Sequence, residues 1–328
     1  MMTTTMPLPI VVCYTTNFVV PAATTLLSII ESANPNTRYH IISLVEAPLF
    51  SSIEQGIKGL DKRGIVSEWT FIDMSGRVPS AYFGSFSIGS LYRILIPELL
   101  PEYDTALYLD CDIIVQNDLS KLFSVDLGGN LLGGVRETLI GANTDHFKSL
   151  ELKDPAWYIN SGFLLMNLKE MRRVNFSMQM MDLLQTERAR SYKFPDQDAY
   201  NILAHGKIIS LPPYYNSIRT FYPSIYKDAF LKLYTNDDWK AVHRHGNVHY
   251  TSAKPWKGYA IQFDKWWNYY TQLPELLKYQ MEVSKKAHKL YNIWKTLIVG
   301  QIFKGLLKAK DTLTALVKRG NERYFNLK

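Results

Sequence analysis

The chain has 328 residues, of which 47% are hydrophobic and 20% charged, and a formal net charge of +7. This length holds one large domain, or one domain with an appendage, and the composition excludes an intrinsically disordered chain. With only two cysteines, Cys13 and Cys111, a disulfide framework is excluded and a reducing compartment fits.

In chain order, Met1 to Pro9 lacks a basic stretch followed by an apolar core, so no signal peptide is expected. Ile10–Tyr14 is a short β-branched run that predicts a first strand, followed by the loop Thr15-Thr16-Asn17. Helical spacing over 21–32 is stopped by Asn34-Pro35-Asn36. A strand over 39–45, a helix over 49–60 and a strand over 66–72 come next. A helix over 90–100 ends near Pro101, and Ala106–Asp110 is the fourth strand. Strands alternating with helices of this length predict βαβ units and a mostly parallel sheet in an α/β fold. Further strands are expected at 131–135, 163–167 and 207–211, with helices from Lys169 and over 196–204, and Val248–Tyr250 precedes Lys254-Pro255-Trp256. From about 262 to the end the pattern reads as helical throughout, with breaks near Gly300 or Gly305 and near Gly320. No window reaches the roughly 18 uninterrupted apolar residues of a membrane span.

The chemistry concentrates at Asp110-Cys111-Asp112. An apolar run ending on Asp-x-Asp delivers two carboxylates to the carboxyl end of a strand, where open α/β sheets bind ligands. With Asp110 as the last strand residue and Asp112 just beyond, the side chain between them points the other way. The pair is either two capping aspartates or a site for a divalent cation, which in turn holds a diphosphate. Phosphatases of the haloacid-dehalogenase type also place Asp-x-Asp after a strand. There the pair falls near the chain start with Thr or Val two residues on, whereas here it lies at 110 with Ile114 in that position.

Four further motifs stand between a structural and a functional reading. His249 is a borderline ligand suited to Mn²⁺ or a plain strand-end histidine. Lys254, five residues on, reaches a phosphate or simply snorkels. His243, Arg244 and His245 imitate a zinc spacing with His249, but Arg244 repels a cation and no cysteine joins them. Asp196-Gln197-Asp198 follows Pro195; one aspartate suffices to cap a helix, which leaves the other polar groups for a ligand. Tyr158-Ile159-Asn160-Ser161-Gly162 places an amide and a glycine ahead of an apolar run.

Taken in order, Leu-Tyr-Leu-Asp-Cys-Asp-Ile-Ile-Val, Tyr-Ile-Asn-Ser-Gly-Phe-Leu-Leu-Met-Asn-Leu, Pro-Asp-Gln-Asp-Ala-Tyr-Asn and His-Tyr with Lys-Pro-Trp closely resemble the family-8 glycosyltransferases. Within them the chain resembles the bacterial lipopolysaccharide galactosyl- and glucosyltransferases, over roughly residues 10–260. The resemblance implies a GT-A-type nucleotide-sugar-binding α/β domain over 1–262, with 263–328 a helical, basic C-terminal segment. It implies a retaining enzyme that moves galactose or glucose from a UDP-sugar to a glycan or glycolipid such as lipopolysaccharide core. It further implies Mn²⁺, with Mg²⁺ as alternative, held by Asp110, Asp112 and His249. Arg93, Cys111, Asn160, Ser161, Gly162 and Lys254 then belong to the donor site. Asp196 is expected on the hydroxyls of the transferred sugar and Gln197 beneath its anomeric carbon, while Glu137 matches an acidic residue on the acceptor side. Tyr14, Thr15, Thr16 and Asn17 fall where the family reads the base. There the usual acidic residues are replaced by Thr15-Thr16, and the loop between His249 and Lys254 is one residue shorter than in the relatives and lacks their glycine. Non-catalytic nucleotide-sugar binding stays open as an alternative.

Charge is concentrated at the C-terminus. Residues 284–328 carry 11 Lys/Arg against 2 Asp/Glu, and the preceding 283 residues carry 26 against 28. Basic helical segments with Trp294, Phe303 and an apolar run at 297–303 suit an anionic membrane surface, contacted from its cytoplasmic side, or a packed helix with solvated lysines. No nucleic-acid partner is expected.

Overall fold

The computed structural model describes residues 6–78, 88–138 and 142–296, together with 302, 305–307, 309–311 and 313. Its strands are β1 (Leu8–Tyr14), β2 (Tyr39–Val45), β3 (Val66–Asp73), β4 (Thr105–Leu109), β5 (Ile113–Ile114), β6 (Leu132–Arg136), β7 (Ile159–Asn167), β8 (Ile208–Ser210) and β9 (Val248–His249). Seven of them form one sheet in the order β3-β2-β1-β4-β7-β6-β8, while β5 and β9 pair separately. All neighbours in the sheet are parallel except β7, which runs antiparallel to both β4 and β6. β2 and β7 are buried at every position. Near-continuous apolar runs with no polar-out alternation are what a strand covered on both faces requires.

Two cores cover the faces. One packs the helix Val19–Ser32 with Trp256, Trp266, Trp267 and Tyr291; the other packs Leu91, Ile94, Met171, Phe176, Met180 and Tyr200. The expected helix over 90–100 is instead three short pieces, Gly89–Tyr92, the 3-10 turn Arg93–Leu95 and Ile96–Leu99. Pro97 has no N–H to close an α-turn onto Arg93; the Arg93 carbonyl accepts instead from the Ile96 N–H, in a 3-10 turn, and from the Tyr200 hydroxyl at 3.2 Å. Helices at Ala142–Ser149, Phe176–Leu184 and Asn236–His245 are additional to those expected.

The C-terminal region is not helical throughout. It holds Phe263–Tyr270, Glu275–Lys278 and Lys285–Lys295, with non-helical links between them, the first closed by Pro274. Gly305 is itself helical, and the breaks expected near Gly300 and Gly320 lie outside the described residues. Ala287 and Tyr291 are buried, and Tyr291 stacks on Trp267 at 4.7 Å, so the Lys285–Lys295 helix docks on the body through one face.

Candidate active site

β4 ends at Leu109, one residue earlier than expected, so Asp110–Asp112 form the short link into β5. β1 is flanked by β2 on one side and β4 on the other, and the reversal of strand order opens the sheet edge there. Three backbone contacts fix the link. The Asp110 N–H donates to the Gly162 carbonyl at 2.8 Å, the Tyr250 N–H donates to the Asp112 carbonyl at 3.0 Å, and Ile113 pairs directly with His249. As a result Asp110, Asp112 and His249 bring ligand atoms within 4.8 Å of one another, the only such group among the described residues. His249 Nε2 stands 3.2 Å from Asp112 Oδ1 and 3.7 Å from Asp110 Oδ2.

The protonation of His249 follows from a chain of donors that begins at a backbone amide. The Gly162 N–H donates to Asn160 Oδ1 at 3.1 Å, which fixes the Asn160 amide. Asn216 Nδ2 must then donate to that same oxygen, at 3.0 Å, which leaves Asn216 Oδ1 to accept from His249 Nδ1 at 2.8 Å. The proton is therefore on Nδ1, and the Nε2 lone pair faces the two aspartates, the arrangement of a metal-binding histidine with its outer partner. Asp112 Oδ1 is buried with no hydrogen-bond partner among the described residues. An orphaned carboxylate oxygen facing an imidazole lone pair is costly without a cation between them. Two hard oxygens and one borderline nitrogen suit Mn²⁺ or Mg²⁺.

Beside this cluster lies a shelf of polar side chains. Asn160 Nδ2 donates to Glu137 Oε1 at 2.9 Å and to Gln197 Oε1 at 3.0 Å. Gln197 Oε1 also accepts from the Ser161 N–H at 3.0 Å, while Gln197 Nε2 reaches the Tyr158 hydroxyl at 3.0 Å and Glu137 at 3.3 Å. Tyr158 in turn donates to Asp198 at 2.5 Å, and His146 Nε2 lies 3.0 Å from both oxygens of that carboxylate. Asp198 is thus spent on positioning, as its place in the first turn of the helix Pro195–Leu203 allows. Arg93, only 4% exposed, joins the shelf to the cluster. Its guanidinium contacts Asp110 Oδ1 at 3.2 Å, Asp196 Oδ2 at 2.7 Å and the Ser161 carbonyl at 2.6 Å. Burial pushes the Asp196 carboxyl upward, and Arg93 opposes that shift; burial likewise pushes Glu137 up.

Lys254 sits closer than a diphosphate ligand would need. Its ammonium pairs directly with Asp112 Oδ2 and with the Tyr250 carbonyl at 2.5 Å. Burial alone would raise the Asp112 carboxyl, but the Lys254 ammonium beside it holds it well below the usual carboxylate range. The open space beside the cluster is a cleft of about 170 Å³ lined by Cys13, Thr15, Phe18, Arg93, Asp110 and Asp112 among others. Of the residues expected at the base, Thr15 lines the cleft, and Thr16 and Asn17 are exposed. Tyr14 lies in the hydrophobic core, so its side chain is not placed to meet a donor. Strand alternation explains this: Cys13 faces the cleft, so Tyr14 faces away. Cys111 also borders the cleft, and its thiol, raised by burial, donates weakly to the Cys13 carbonyl at 3.5 Å.

His243 and His245 take no part in a metal group. His243 bonds the Trp239 and Tyr222 carbonyls, and His245 bonds Asn117. Sequence reasoning missed Asn216, Tyr108 and His146. Tyr108 donates to Asp110 Oδ1 at 2.5 Å and was detectable as the residue two before an aspartate, on the same strand face. Asn216 and His146 act from 33 and 52 residues away from their partners, with no local signal.

Residues 9–260 match the sequence profile of Glycosyl transferase family 8. The chain belongs to that family. It is 30% identical over 164 residues to a lipopolysaccharide 1,2-glucosyltransferase of Escherichia coli (strain K12), covering 48% of this chain. That match takes in 46% of the relative, so the chain spans about half of its length. A second lipopolysaccharide 1,2-glucosyltransferase, also from Escherichia coli, is 28% identical over 286 residues, 83% of this chain and 81% of the relative. The galactosyltransferase LgtC, solved with donor and acceptor sugar analogues, superposes with a TM-score of 0.70 at 23% identity, over 83% of this chain and all of the other. The fold of this family-8 member is therefore of the GT-A type, and the phosphatase alternative falls with the family assignment.

Proposed function

We propose that the protein is a retaining, metal-dependent hexosyltransferase that moves galactose or glucose from a UDP-sugar to a glycan or glycolipid such as lipopolysaccharide core. The observation that carries this reading is the Asp110–Asp112–His249 cluster with its lone pairs converging, next to the Asn160–Gln197 shelf. Mn²⁺ or Mg²⁺, when bound, supplies Lewis-acid stabilisation of the charge that develops on the diphosphate leaving group.

The chain's own residues do the rest. Lys254 leaves Asp112 for the diphosphate, its cationic charge following the oxygens that become negative. Asp196, held by Arg93, accepts hydrogen bonds from the sugar's hydroxyls. Gln197 stands beneath the anomeric carbon. An amide oxygen is weakly basic, and this one already accepts from Ser161 and Asn160, so it is a poor nucleophile. That supports attack by the acceptor on the face from which the diphosphate departs, with the leaving phosphate oxygen taking the acceptor's proton. The oriented Gln197 amide dipole stabilises positive charge at the oxocarbenium-like carbon.

A screen of nucleotide sugars for Mn²⁺-dependent hydrolysis tests the reading. UDP-galactose or UDP-glucose is expected to release UDP slowly without acceptor, and Asp110→Asn to lower that rate about a thousandfold, a barrier increase of about 4 kcal/mol. A metal-independent rate, or one untouched by Asp110→Asn, overturns it; binding without turnover would favour a nucleotide-sugar-binding homologue.

We further propose that the basic C-terminal segment lies on an anionic membrane, on the cytoplasmic face. No helix among the described residues is long and apolar enough to cross a membrane. Ile302, Leu306 and Leu313 are helical, more than 60% exposed and fall at i, i+4 and i+11, a spacing that shares one helix face. Replacing all three by Glu is expected to release the full-length protein from phosphatidylglycerol vesicles in a sedimentation assay. Unchanged sedimentation rejects the membrane role.

A further inference from the structure

The cleft beside Asp110 is not the only space bordered by the candidate metal ligands. His249 borders a second cavity, of about 200 Å³, whose walls include Arg219, Tyr222, Thr251 and Tyr259. This cavity shares Tyr222, Tyr259, Ile261 and Asp311 with a groove of about 680 Å³, so the two adjoin along those residues. The groove's volume lies within the range of small-molecule sites, roughly 300–1,000 Å³.

Its walls are aromatic. Tyr222, Trp239, Tyr259, Phe263 and Trp294 all line it, with Gln262 and the carboxylates of Asp264 and Asp311 among the rings and Lys265 as a cation. Except for the buried Phe263, these rings are half-buried, with part of each surface open. They are also fixed in place. His243 ties the two upper rings together through the Trp239 and Tyr222 carbonyls, at 2.8 and 3.1 Å, and packs on Trp239 at 4.5 Å. Tyr259 bonds Asp311 and packs edge-on against Phe263 at 5.8 Å, which in turn meets Trp294 at 5.3 Å. The backbone of Gln262 is held at φ 58°, a left-handed conformation that costs a non-glycine residue energy, and its carbonyl accepts the Tyr250 hydroxyl at 2.7 Å. Tyr250 adjoins the ligand His249, so the groove floor and the cluster are built on one segment.

We propose that this groove is a distal acceptor subsite, which holds the sugar rings of the acceptor beyond the one that is glycosylated. The proposal rests on the hexosyltransferase reading above. A pyranose offers an apolar C–H face to an aromatic ring and hydroxyls to carboxylates and amides, and the groove presents both on fixed side chains. An acyl chain would desolvate the charged groups of Asp264, Lys265 and Asp311 that line the groove. Because the distal rings do not react, their binding energy is available to position the reacting hydroxyl at the cluster.

The test uses full-length protein with UDP-hexose, Mn²⁺ and a length ladder of oligosaccharides released from lipopolysaccharide core. Wild type is expected to gain transfer efficiency with acceptor length, and Trp239→Ala and Trp294→Ala to lose that gain, about tenfold in the ratio of transfer to donor hydrolysis, through acceptor KM. Trp239→Leu, which keeps apolar volume, is expected to show the same loss and so separates stacking from folding. Saturation-transfer NMR of the same oligosaccharides is expected to show contact with aromatic protons in wild type and to lose it in the variants. Length-independent transfer in wild type, or variants that keep the gain, overturns the subsite; so does saturation of dodecyl chains in preference to sugars. Absence of donor hydrolysis in wild type would count against the transferase reading, while the NMR contact would still decide the groove.

Discussion

The two ends of the donor cleft stand on one sheet edge and are built in opposite ways. At the Asp110–His249 end each side chain has its place set by partners far away in sequence: Gly162 holds the Asp110 amide, β5 pairs with β9, and Asn216 fixes the histidine proton. At the Thr15–Asn17 end the described contacts are local. The Thr15 hydroxyl donates to Asn17 Oδ1 at 2.5 Å, and Phe18 alone reaches across, edge-on to Trp256 at 5.5 Å. The buried end fixes the geometry of the three candidate metal ligands. The exposed end can change its residues without disturbing that geometry, as loops on rigid scaffolds do.

If that contrast is right, the largest effect comes from crowding the buried end. A Cβ on Gly162 would lie 2.4 Å from His249 Cε1 and 2.5 Å from Asp110 Oδ2, so Gly162→Ala must move two of the three ligands. Overpacking of this kind costs about 1–3 kcal/mol of stability. We expect a lower melting temperature together with Mn²⁺ affinity reduced more than about a hundredfold by calorimetry. A Gly162→Ala protein that bound Mn²⁺ like wild type would show that the cluster is looser than its packing indicates. A smaller effect is expected from Asn216→Ala. Without an acceptor opposite Nδ1 the imidazole is free to place its proton on Nε2, and loss of such an outer partner costs about 10–100-fold in metal affinity. The fold should survive, because Asn160 Oδ1 keeps its bond from the Gly162 amide.

The same contrast explains what could be read from the chain. Asp110, Asp112 and His249 were legible because an apolar strand must end at them and because their motifs come in a fixed order. β2 was legible residue for residue, since Tyr39–Val45 is apolar enough to be covered on both faces. The helix Asn236–His245 went unread although Thr235 and Asp238 form a capping box, since its polar first turn hides the periodicity. Asn216 was beyond reach: an asparagine in a loop carries no sign that a histidine 33 residues on depends on it. The C-terminal region misled through composition. Lysine-rich apolar spacing predicts helix, but Pro274 and the packing of Tyr291 on Trp267 decide where helices stop and which face is exposed.

The smallest effect should come from the loop. Thr15 lines the cleft through one neutral hydroxyl, and a single neutral hydrogen bond contributes about 0.5–1.5 kcal/mol. Thr15→Ala is therefore expected to raise the donor KM by no more than about tenfold, with metal affinity unchanged. Its more telling readout is the choice of base: competition between UDP and other nucleoside diphosphates should shift in Thr15→Ala while remaining fixed in Asn216→Ala. A Thr15→Ala variant that lost metal binding would mean that the two ends of the cleft are coupled, and that the exposed loop is part of the scaffold that holds Asp110.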